Sequence, residues 1–297
     1  MSKKAVRLPA MAILILAITS VILGIQLYFA RRDLQELRAQ ATEVSTVYDI
    51  NVGTREVLDP YEGSGVSVSK RDTEGLMSDV ENEVPYVGGI RRVYLTFDDG
   101  PSSNTGRILD TLAEYDVKAT FFVIGNEEEA YQALYKRIVE EGHTLGMHSY
   151  SHKYDEIYQS VESYVQDMTR LQEFLYDVTG VWCRYCRFPG GSSNTVSRVD
   201  MRELTAYLDD QDIIYFDWNI ASGDASSSYI SRDAIISNCM AKLSEYQEAV
   251  ILLHDASAKN TTVEALPELI ERIQAMDNTV ILPITEDTVP IQHLSVD

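Results

Sequence analysis

Short apolar runs alternate with longer amphipathic segments from about residue 90 to the end of the chain. The apolar runs have the length of buried strands and lie at 93–97, 119–125, 144–148, 212–216, 249–254 and 279–283. The segments between them have helical spacing and cover 104–115, 127–141, 160–179, 228–246 and 262–276. Strands that alternate with helices predict an α/β fold with a parallel sheet covered by helices. We expect a distorted or incomplete (β/α) barrel, with an open doubly wound sheet as the alternative.

The first part of the chain lacks this alternation. Residues 8–30 form an uncharged run, long enough at about 1.5 Å per residue to cross a hydrocarbon core of roughly 30 Å. It is longer than the apolar region of a signal peptide and does not end in a small-x-small cleavage pattern, so residues 1–30 are expected to form a cytoplasmic tip and an uncleaved anchor. Residues 31–89 are mixed polar and predict a stalk, which leaves one domain at 90–297. Lys and Arg flank the apolar run on both sides, so charge alone does not orient the anchor.

Composition and cysteine usage exclude several classes of protein. The chain has 46 acidic and 25 basic residues, a net charge of −21, which disfavours nucleic-acid binding. It has no G-x-G-x-x-G after the first strand and no Walker A motif, so nucleotide binding lacks support. Cys183, Cys186 and Cys239 cannot form a closed four-cysteine metal site. We expect packed or unpaired thiols, and a disulfide stays open if the domain lies outside the cell.

Polar residues gather at the carboxyl ends of the predicted strands, where both candidate folds hold their active sites. These residues are Asp98, Asp99, His148, His152, Arg187, Asp217, His254 and Asp255. Three of the five histidines are in this group, and we expect His143 and His293 to be structural or surface residues.

His148 and His152 form an H-x-x-x-H pair that could share one metal. Ser149 stands where metalloproteases have a general-base Glu, which excludes that class. Asp98 or Asp99 could complete three protein ligands with one open position, the pattern of a catalytic metal. Taken alone, each motif also fits a local structural role, with Asp99 as a helix cap. Gly100-Pro101 would end the strand so that both carboxylates face one cavity.

Five segments in order resemble motifs of the polysaccharide deacetylase family, the NodB-homology domain of carbohydrate esterase family four. The resemblance runs from about residue 90 to 285 and is carried by TFDDGPSSNT (96–105), HSYSH (148–152), RFPGGSSN (187–194), DWN (217–219) and LLHD (252–255). The chain is most similar to membrane-anchored peptidoglycan N-acetylglucosamine deacetylases. The resemblance implies a distorted (β/α) barrel with one divalent metal, usually Zn²⁺, with Co²⁺, Mn²⁺ or Ni²⁺ as alternatives.

The same resemblance implies roles for individual residues. Asp99, His148 and His152 would bind the metal. Asp98 would be the general base that takes a proton from the attacking water. His254 would be the general acid that protonates the departing amine.

Further residues would support this set. Arg187 would orient Asp98, and we expect its charge to keep the pKa of that carboxyl low. Asp217 would help to position the charged cluster, and the N–H of Gly190 would stabilise the oxyanion. Trp218 and Leu253 would line the pocket for the acetyl methyl group, although Trp218 fits a core position equally well. Many family members have a tyrosine where this chain has Gly190, so a side-chain contact to the sugar is lost.

The resemblance implies a hydrolase of linear amides that removes N-acetyl groups from cell-wall glycan, with peptidoglycan N-acetylglucosamine as the expected substrate. N-acetylmuramic acid, chitooligosaccharide and acetylated xylan are alternative substrates. An inactive glycan-binding or scaffold domain is the alternative of another class, but every proposed metal and acid–base position is occupied. The substrate requires a cytoplasmic N-terminus and an extracellular catalytic domain, whereas an inverted anchor would make the protein an intracellular hydrolase.

Overall fold

The computed structural model of the chain describes residues 89–226 and 229–294. The predicted anchor at 1–30 lies outside the described residues, as does the predicted stalk apart from Gly89. Within the described part, no helix is long and apolar enough to span a membrane.

Eight strands form one sheet in the described residues, and each of their pairings is parallel. They are β1 (Arg91–Asp98), β2 (Thr120–Ile124), β3 (Thr144–Ser149), β4 (Tyr185–Cys186), β5 (Ile214–Tyr215), β6 (Ile220–Ala221), β7 (Glu248–His254) and β8 (Thr279–Ile281). Their order is β5-β4-β3-β2-β1-β7-β6, and β8 pairs with the first residues of β1.

Seven α-helices of the described part connect and cover these strands. They are α1 (Thr105–Glu114), α2 (Glu129–Glu140), α3 (Tyr154–Ile157), α4 (Val161–Thr179), α5 (Met201–Asp210), α6 (Arg232–Ala241) and α7 (Asn260–Gln274). A 3₁₀ turn at Leu243–Glu245 follows α6. The predicted helix 228–246 is therefore shorter, and the predicted strand 212–216 is reduced to two residues. The helices α3 and α5 and the strands β4 and β6 were not predicted.

The sheet curls because its two outer strands are close neighbours along the chain. Only residues 216–219 separate β5 from β6, and five peptide steps span at most about 18 Å. A flat sheet would hold those strands roughly 29 Å apart at about 4.8 Å per strand. The C-terminal segment lies beside this gap, where the N–H of Asp217 donates to the carbonyl of Ile291 at 2.7 Å. The described part is thus a curled parallel half-barrel, which confirms the predicted α/β barrel class over the open sheet.

Two apolar clusters lie on the two faces of the sheet. The larger cluster joins the outer sheet face to the helices and includes Leu95 and Phe97 of β1. The smaller one fills the barrel interior and comprises Tyr94, Phe122, Phe216, Val250 and Ile284. Because side chains alternate along a strand, the residues of β1 that share the face of Tyr94 point into the barrel. Asp98 is the last residue on that inner face.

The three cysteines are free thiols and are buried. Burial raises the pKa of Cys183 and of Cys239 to about 12, and raises that of Cys186 further. These thiols therefore stay protonated at neutral pH and serve as core side chains, as expected for packed cysteines.

Candidate active site

The carboxyl end of β1 turns sharply at the two adjacent aspartates. Asp98 is 3% exposed and pairs in register with His254 of β7. Asp99 has a φ of 76°, so the chain leaves the strand direction at this residue. A side chain on Gly100 would overlap the carboxylate of Asp255. The close packing of Asp255 therefore explains why glycine follows the aspartates.

Asp255 ties this turn to the first helix. Its carboxylate accepts hydrogen bonds from Ser102 Oγ at 2.6 Å and from Thr105 Oγ1 at 2.5 Å. Its N–H donates to the carbonyl of Asp98 at 2.7 Å. These contacts hold the ends of β1 and β7 together.

Asp99, His148 and His152 form the cluster that fits a metal ion. Their potential ligand atoms all lie within 4.8 Å of one another. Asp99 Oδ1 lies 3.6 Å from His148 Nε2 and 3.3 Å from His152 Nε2. Tetrahedral ligands with zinc bonds of 2.0–2.1 Å would be roughly 3.3–3.4 Å apart. The spacing therefore suits a small divalent cation, and the donor set of two imidazoles and one carboxylate suits zinc.

The hydrogen bonding of His148 fixes which ring nitrogen can bind a metal. Its Nδ1 lies 2.7 Å from the carbonyl oxygen of Arg187, and a carbonyl can only accept. Nδ1 therefore carries the proton and Nε2 keeps its lone pair toward Asp99. Burial lowers the pKa of His148 to about 3, so the ring is neutral at physiological pH. A neutral, oriented imidazole is the form that binds metals.

Arg187 lies inside the barrel, fully buried beneath Asp98. Its Nη1 donates to Asp98 Oδ1 at 2.8 Å and to Thr96 Oγ1 at 2.7 Å. Its Nε donates to the carbonyl of Phe216, and its Nη2 to the carbonyl of Asp217, each at 2.9 Å. Each of the three guanidinium nitrogens thus donates to an acceptor, and this arrangement fixes the orientation of the Asp98 carboxylate.

The pKa of Asp98 differs from the sequence prediction. Burial raises it above its ordinary value, although the charges of Arg187 and His254 act in the opposite direction. The prediction that Arg187 keeps this pKa low is therefore wrong, because the loss of water around the carboxylate outweighs the attraction of Arg187 and His254. A raised pKa makes the carboxylate a stronger base.

Asp217 contacts Arg187 through its main chain. Its carboxylate instead accepts from the N–H and hydroxyl of Ser192 and from the N–H of His293. The side chain thus joins the RFPGG loop to the C-terminal segment, while the carbonyl holds the guanidinium. His293 is consequently part of the wall beside the site, where its ring packs edge-on against Trp218 at 5.0 Å.

The ring and the main chain of His254 are both held by one aspartate, Asp224. Asp224 is buried, and its Oδ1 lies 2.7 Å from His254 Nδ1. Its Oδ2 accepts from the N–H of His254 and from Thr262 Oγ1. Burial alone lowers the pKa of His254, but the hydrogen bond and charge of Asp224, with Asp98 and Asp99, raise it overall. Asp224 therefore favours a protonated ring that directs Nε2 away from it.

The N–H of Gly190 is oriented by a neighbouring tyrosine. Tyr158 donates a hydrogen bond of 2.8 Å to the carbonyl of Pro189. In a trans peptide the N–H of the next residue points the opposite way, so this bond turns the N–H of Gly190 away from Tyr158. Within the described part of the chain, the Gly190 N–H donates to no residue. It is a free donor on an exposed glycine with a φ of 80°.

The structure places the two residues predicted to line the pocket, Trp218 and Leu253, in different surroundings. Trp218 is half-buried and lies against Gly191, where an added Cβ would be 3.0 Å from the indole ring. Leu253 is 1% exposed and belongs to the cluster between the sheet and the helices. The prediction that Leu253 lines the pocket is therefore wrong, because alternation along β7 places Leu252 on the inner face with Val250 and His254.

His143 lies at the opposite end of the sheet, before β3. Its Nδ1 accepts a hydrogen bond from the N–H of Ala119 at 3.1 Å. Burial lowers its pKa to about 4, so it is neutral and structural, as predicted.

Comparison with known proteins identifies similar chains. A family profile described as polysaccharide deacetylase matches residues 87–208. The Bacillus subtilis protein YheN, classed by its name among the polysaccharide deacetylases, is 36% identical over 208 residues, covering 69% of this chain and 71% of its own. A peptidoglycan-N-acetylglucosamine deacetylase of Bacillus cereus is 34% identical over 185 residues, covering 61% of this chain and 65% of its own.

A solved structure shares the fold. It is the catalytic domain of peptidoglycan N-acetylglucosamine deacetylase from Eubacterium rectale, which superposes with a TM-score of 0.65 at 36% identity. The match covers 74% of this chain and 98% of that one.

Proposed function

The chain belongs to the polysaccharide deacetylase family, and on that premise we propose that it hydrolyses the N-acetyl groups of cell-wall glycan, with peptidoglycan N-acetylglucosamine as the substrate. One observation carries the proposal. The Asp99, His148 and His152 cluster lies at the end of β1, where Asp98 and His254 occupy paired positions on adjacent strands. A candidate metal site and two titratable groups thus lie together at the carboxyl ends of neighbouring strands.

The three ligand residues would hold one divalent cation, with Zn²⁺ preferred on the donor set. When bound, such an ion acts as a Lewis acid that polarises the acetyl carbonyl and makes water nucleophilic near neutral pH. Asp99 and His152 both have left-handed backbone, with φ values of 76° and 52°, a strained conformation that clusters at functional sites.

Asp98 acts as the general base in this proposal. It takes one proton from the attacking water as the water oxygen bonds to the carbonyl carbon of the acetamido group. Arg187 stabilises the ionised form of Asp98 and fixes its orientation. The free N–H of Gly190 stabilises the negative charge that develops on the carbonyl oxygen.

His254 acts as the general acid. It donates its proton to the amide nitrogen, the C–N bond breaks, and acetate and a free amine leave. Asp224 supports this role because its charge raises the pKa of His254. The base must be ionised, whereas the acid must be protonated. Arg187 stabilises the ionised carboxylate of Asp98, and Asp224 stabilises the protonated imidazole of His254.

We further propose that residues 8–30 anchor the protein in the cell membrane, with residues 1–7 in the cytoplasm and the catalytic domain outside. The uncharged run in the sequence supports an anchor, and the location of the substrate supports the orientation. Protease accessibility of the catalytic domain on intact cells tests this, because a domain protected in intact cells and cleaved after lysis would contradict it.

The test of the activity is acetate release by the purified protein. We expect release from peptidoglycan, loss of release with a chelator, and recovery on adding Zn²⁺. Parallel assays on chitooligosaccharide and acetylated xylan rank the alternative substrates. Chelator-resistant release would contradict the metal mechanism, and glycan binding without release from any substrate would favour the binding-domain alternative.

A further inference from the structure

Tyr154 begins the single turn of α3 and lies two residues after His152 in the chain. Its ring packs edge-on against the His152 ring, with centroids 5.4 Å apart and an interplanar angle of 88°. On its other side it contacts Tyr158 at 5.9 Å. The left-handed φ of His152 redirects the chain at this point. Tyr154 is consequently a half-buried side chain held between a candidate metal ligand and the tyrosine that orients the Pro189 carbonyl.

The hydroxyl of Tyr154 lies next to Gly190. A Cβ on Gly190 would be 3.4 Å from the Tyr154 hydroxyl oxygen and 3.3 Å from its ring carbon Cε1. The phenol therefore occupies the space into which a side chain at position 190 would begin to project. Within the described residues, the structure gives this hydroxyl no hydrogen-bond partner, and the N–H of Gly190 beside it is also free.

The neighbouring tyrosines make different contacts. The hydroxyl of Tyr158 donates to Pro189, and that of Tyr150 donates to Glu127. Both of these hydroxyls are thus already bonded to other protein groups. A phenol that is held rigidly by its ring and has no protein partner at its hydroxyl is suited to bind a ligand. A phenol hydroxyl can donate one hydrogen bond and can also accept one.

We propose that the Tyr154 hydroxyl hydrogen-bonds the sugar that carries the reacting acetamido group and makes Tyr154 a specificity-determining residue. This inference rests on the proposed function, because it needs an acetylated sugar in the cleft. Gly190 leaves the position free of its own side chain, and the tyrosine two residues beyond His152 supplies a polar contact there. Tyr154 thereby helps to hold the sugar so that its acetyl carbonyl lies at the Gly190 N–H.

Tyr154→Phe tests the inference because it removes the hydroxyl and keeps the ring. A hydrogen bond to a ligand contributes about 0.5–1.5 kcal/mol, so we expect KM for a soluble N-acetylglucosamine oligosaccharide to rise about 2- to 10-fold. Since this contact would be made equally in the ground and transition states, kcat should stay nearly unchanged. Tyr176→Phe is the matched control, because Tyr176 is exposed on α4 and packs against Trp182.

Two further measurements separate this role from others. The thermal unfolding midpoint should be the same in Tyr154→Phe and the wild type, because the hydroxyl has no partner in the described protein. A midpoint lowered enough to account for the rise in KM would indicate a structural role and overturn the inference.

The affinity of the Asp98→Asn variant for the same oligosaccharide, measured by calorimetry, should fall by the same factor when Tyr154→Phe is added. Unchanged affinity together with an unchanged KM would also overturn it. If the wild type released no acetate while sugar binding depended on Tyr154, the proposed activity alone would fail.

Discussion

The Nδ1 atom of His254 lies 2.7 Å from Oδ1 of Asp224, and the same carboxylate accepts the backbone N–H of His254. Both the ring and the main chain of His254 are therefore fixed by one buried side chain. This contact favours the protonated form of the proposed general acid.

Replacing Asp224 with Asn should move the alkaline limb of the kcat/KM profile to lower pH. The carboxylate raises the pKa of His254, and the acid must be protonated to act, so activity is lost as pH rises through that pKa. Without the negative charge the pKa falls and the loss occurs earlier. Because general acid catalysis contributes roughly 10²–10⁴-fold, we also expect kcat to fall by up to that factor. Asp233→Asn, on the exposed start of α6, is the control. An unshifted alkaline limb in Asp224→Asn would contradict this role.

Arg187→Met should lower the free energy of unfolding by about 3–5 kcal/mol, because it leaves the buried Asp98 charge without a partner. Adding Asp98→Asn to this variant should recover part of the loss, since the uncompensated charge is removed. Urea denaturation of both single variants and the double variant measures the coupling. Strictly additive losses would mean that the pair does not interact as the 2.8 Å contact indicates.

Gly100→Ala should destabilise the turn after β1, because the new methyl group would overlap the Asp255 carboxylate. Overpacking of this kind costs about 1–3 kcal/mol. Gly106→Ala provides the matched control within α1, where the nearest atom to an added Cβ is 3.9 Å away. There alanine should stabilise the helix by up to about 1 kcal/mol. Thermal unfolding compares the two, and equal midpoints would show that Asp255 moves aside at no cost.

Tyr158→Phe should lower kcat, because it releases the Pro189 carbonyl and with it the orientation of the Gly190 N–H. A complete oxyanion donor is worth about 10²–10³ in kcat, so a loosened one should cost less, roughly tenfold. Steady-state kinetics on a soluble substrate measures this. If kcat were retained while stability fell, Tyr158 would serve packing alone.

The longer elements of the fold were predictable from the sequence. The strands β1 and β7 are continuous apolar runs, as in strands buried on both faces, and the helices α4 and α7 are long enough to show period 3.6. The two-residue strands β4, β5 and β6 have no period to read, because their positions depend on pairing with distant strands. The helix α5 could have been found, since Asp200 caps it and its buried residues recur at helical spacing.

The sequence brought together the candidate ligands and paired Arg187 with Asp98, but it missed what holds His254 and how Asp217 contacts Arg187. Asp224 and His254 are 30 residues apart, and nothing in a local pattern links them. Asp217 contacts Arg187 through a carbonyl, which side-chain identity cannot reveal. The choice of Leu253 over Leu252, in contrast, could have been avoided by counting two residues back from His254. Tyr154 carried no motif signal, because its position follows from the backbone turn at His152.

The division of labour between the two adjacent aspartates is the central claim, and the bound zinc and acetate release of two variants test it most directly. Asp98→Asn should bind one equivalent of Zn²⁺ and release no acetate from peptidoglycan, because the ligand set is intact and the base is lost. Asp99→Asn should fail to retain Zn²⁺, because a carboxylate ligand is missing. Loss of zinc in Asp98→Asn with retention in Asp99→Asn would contradict the account.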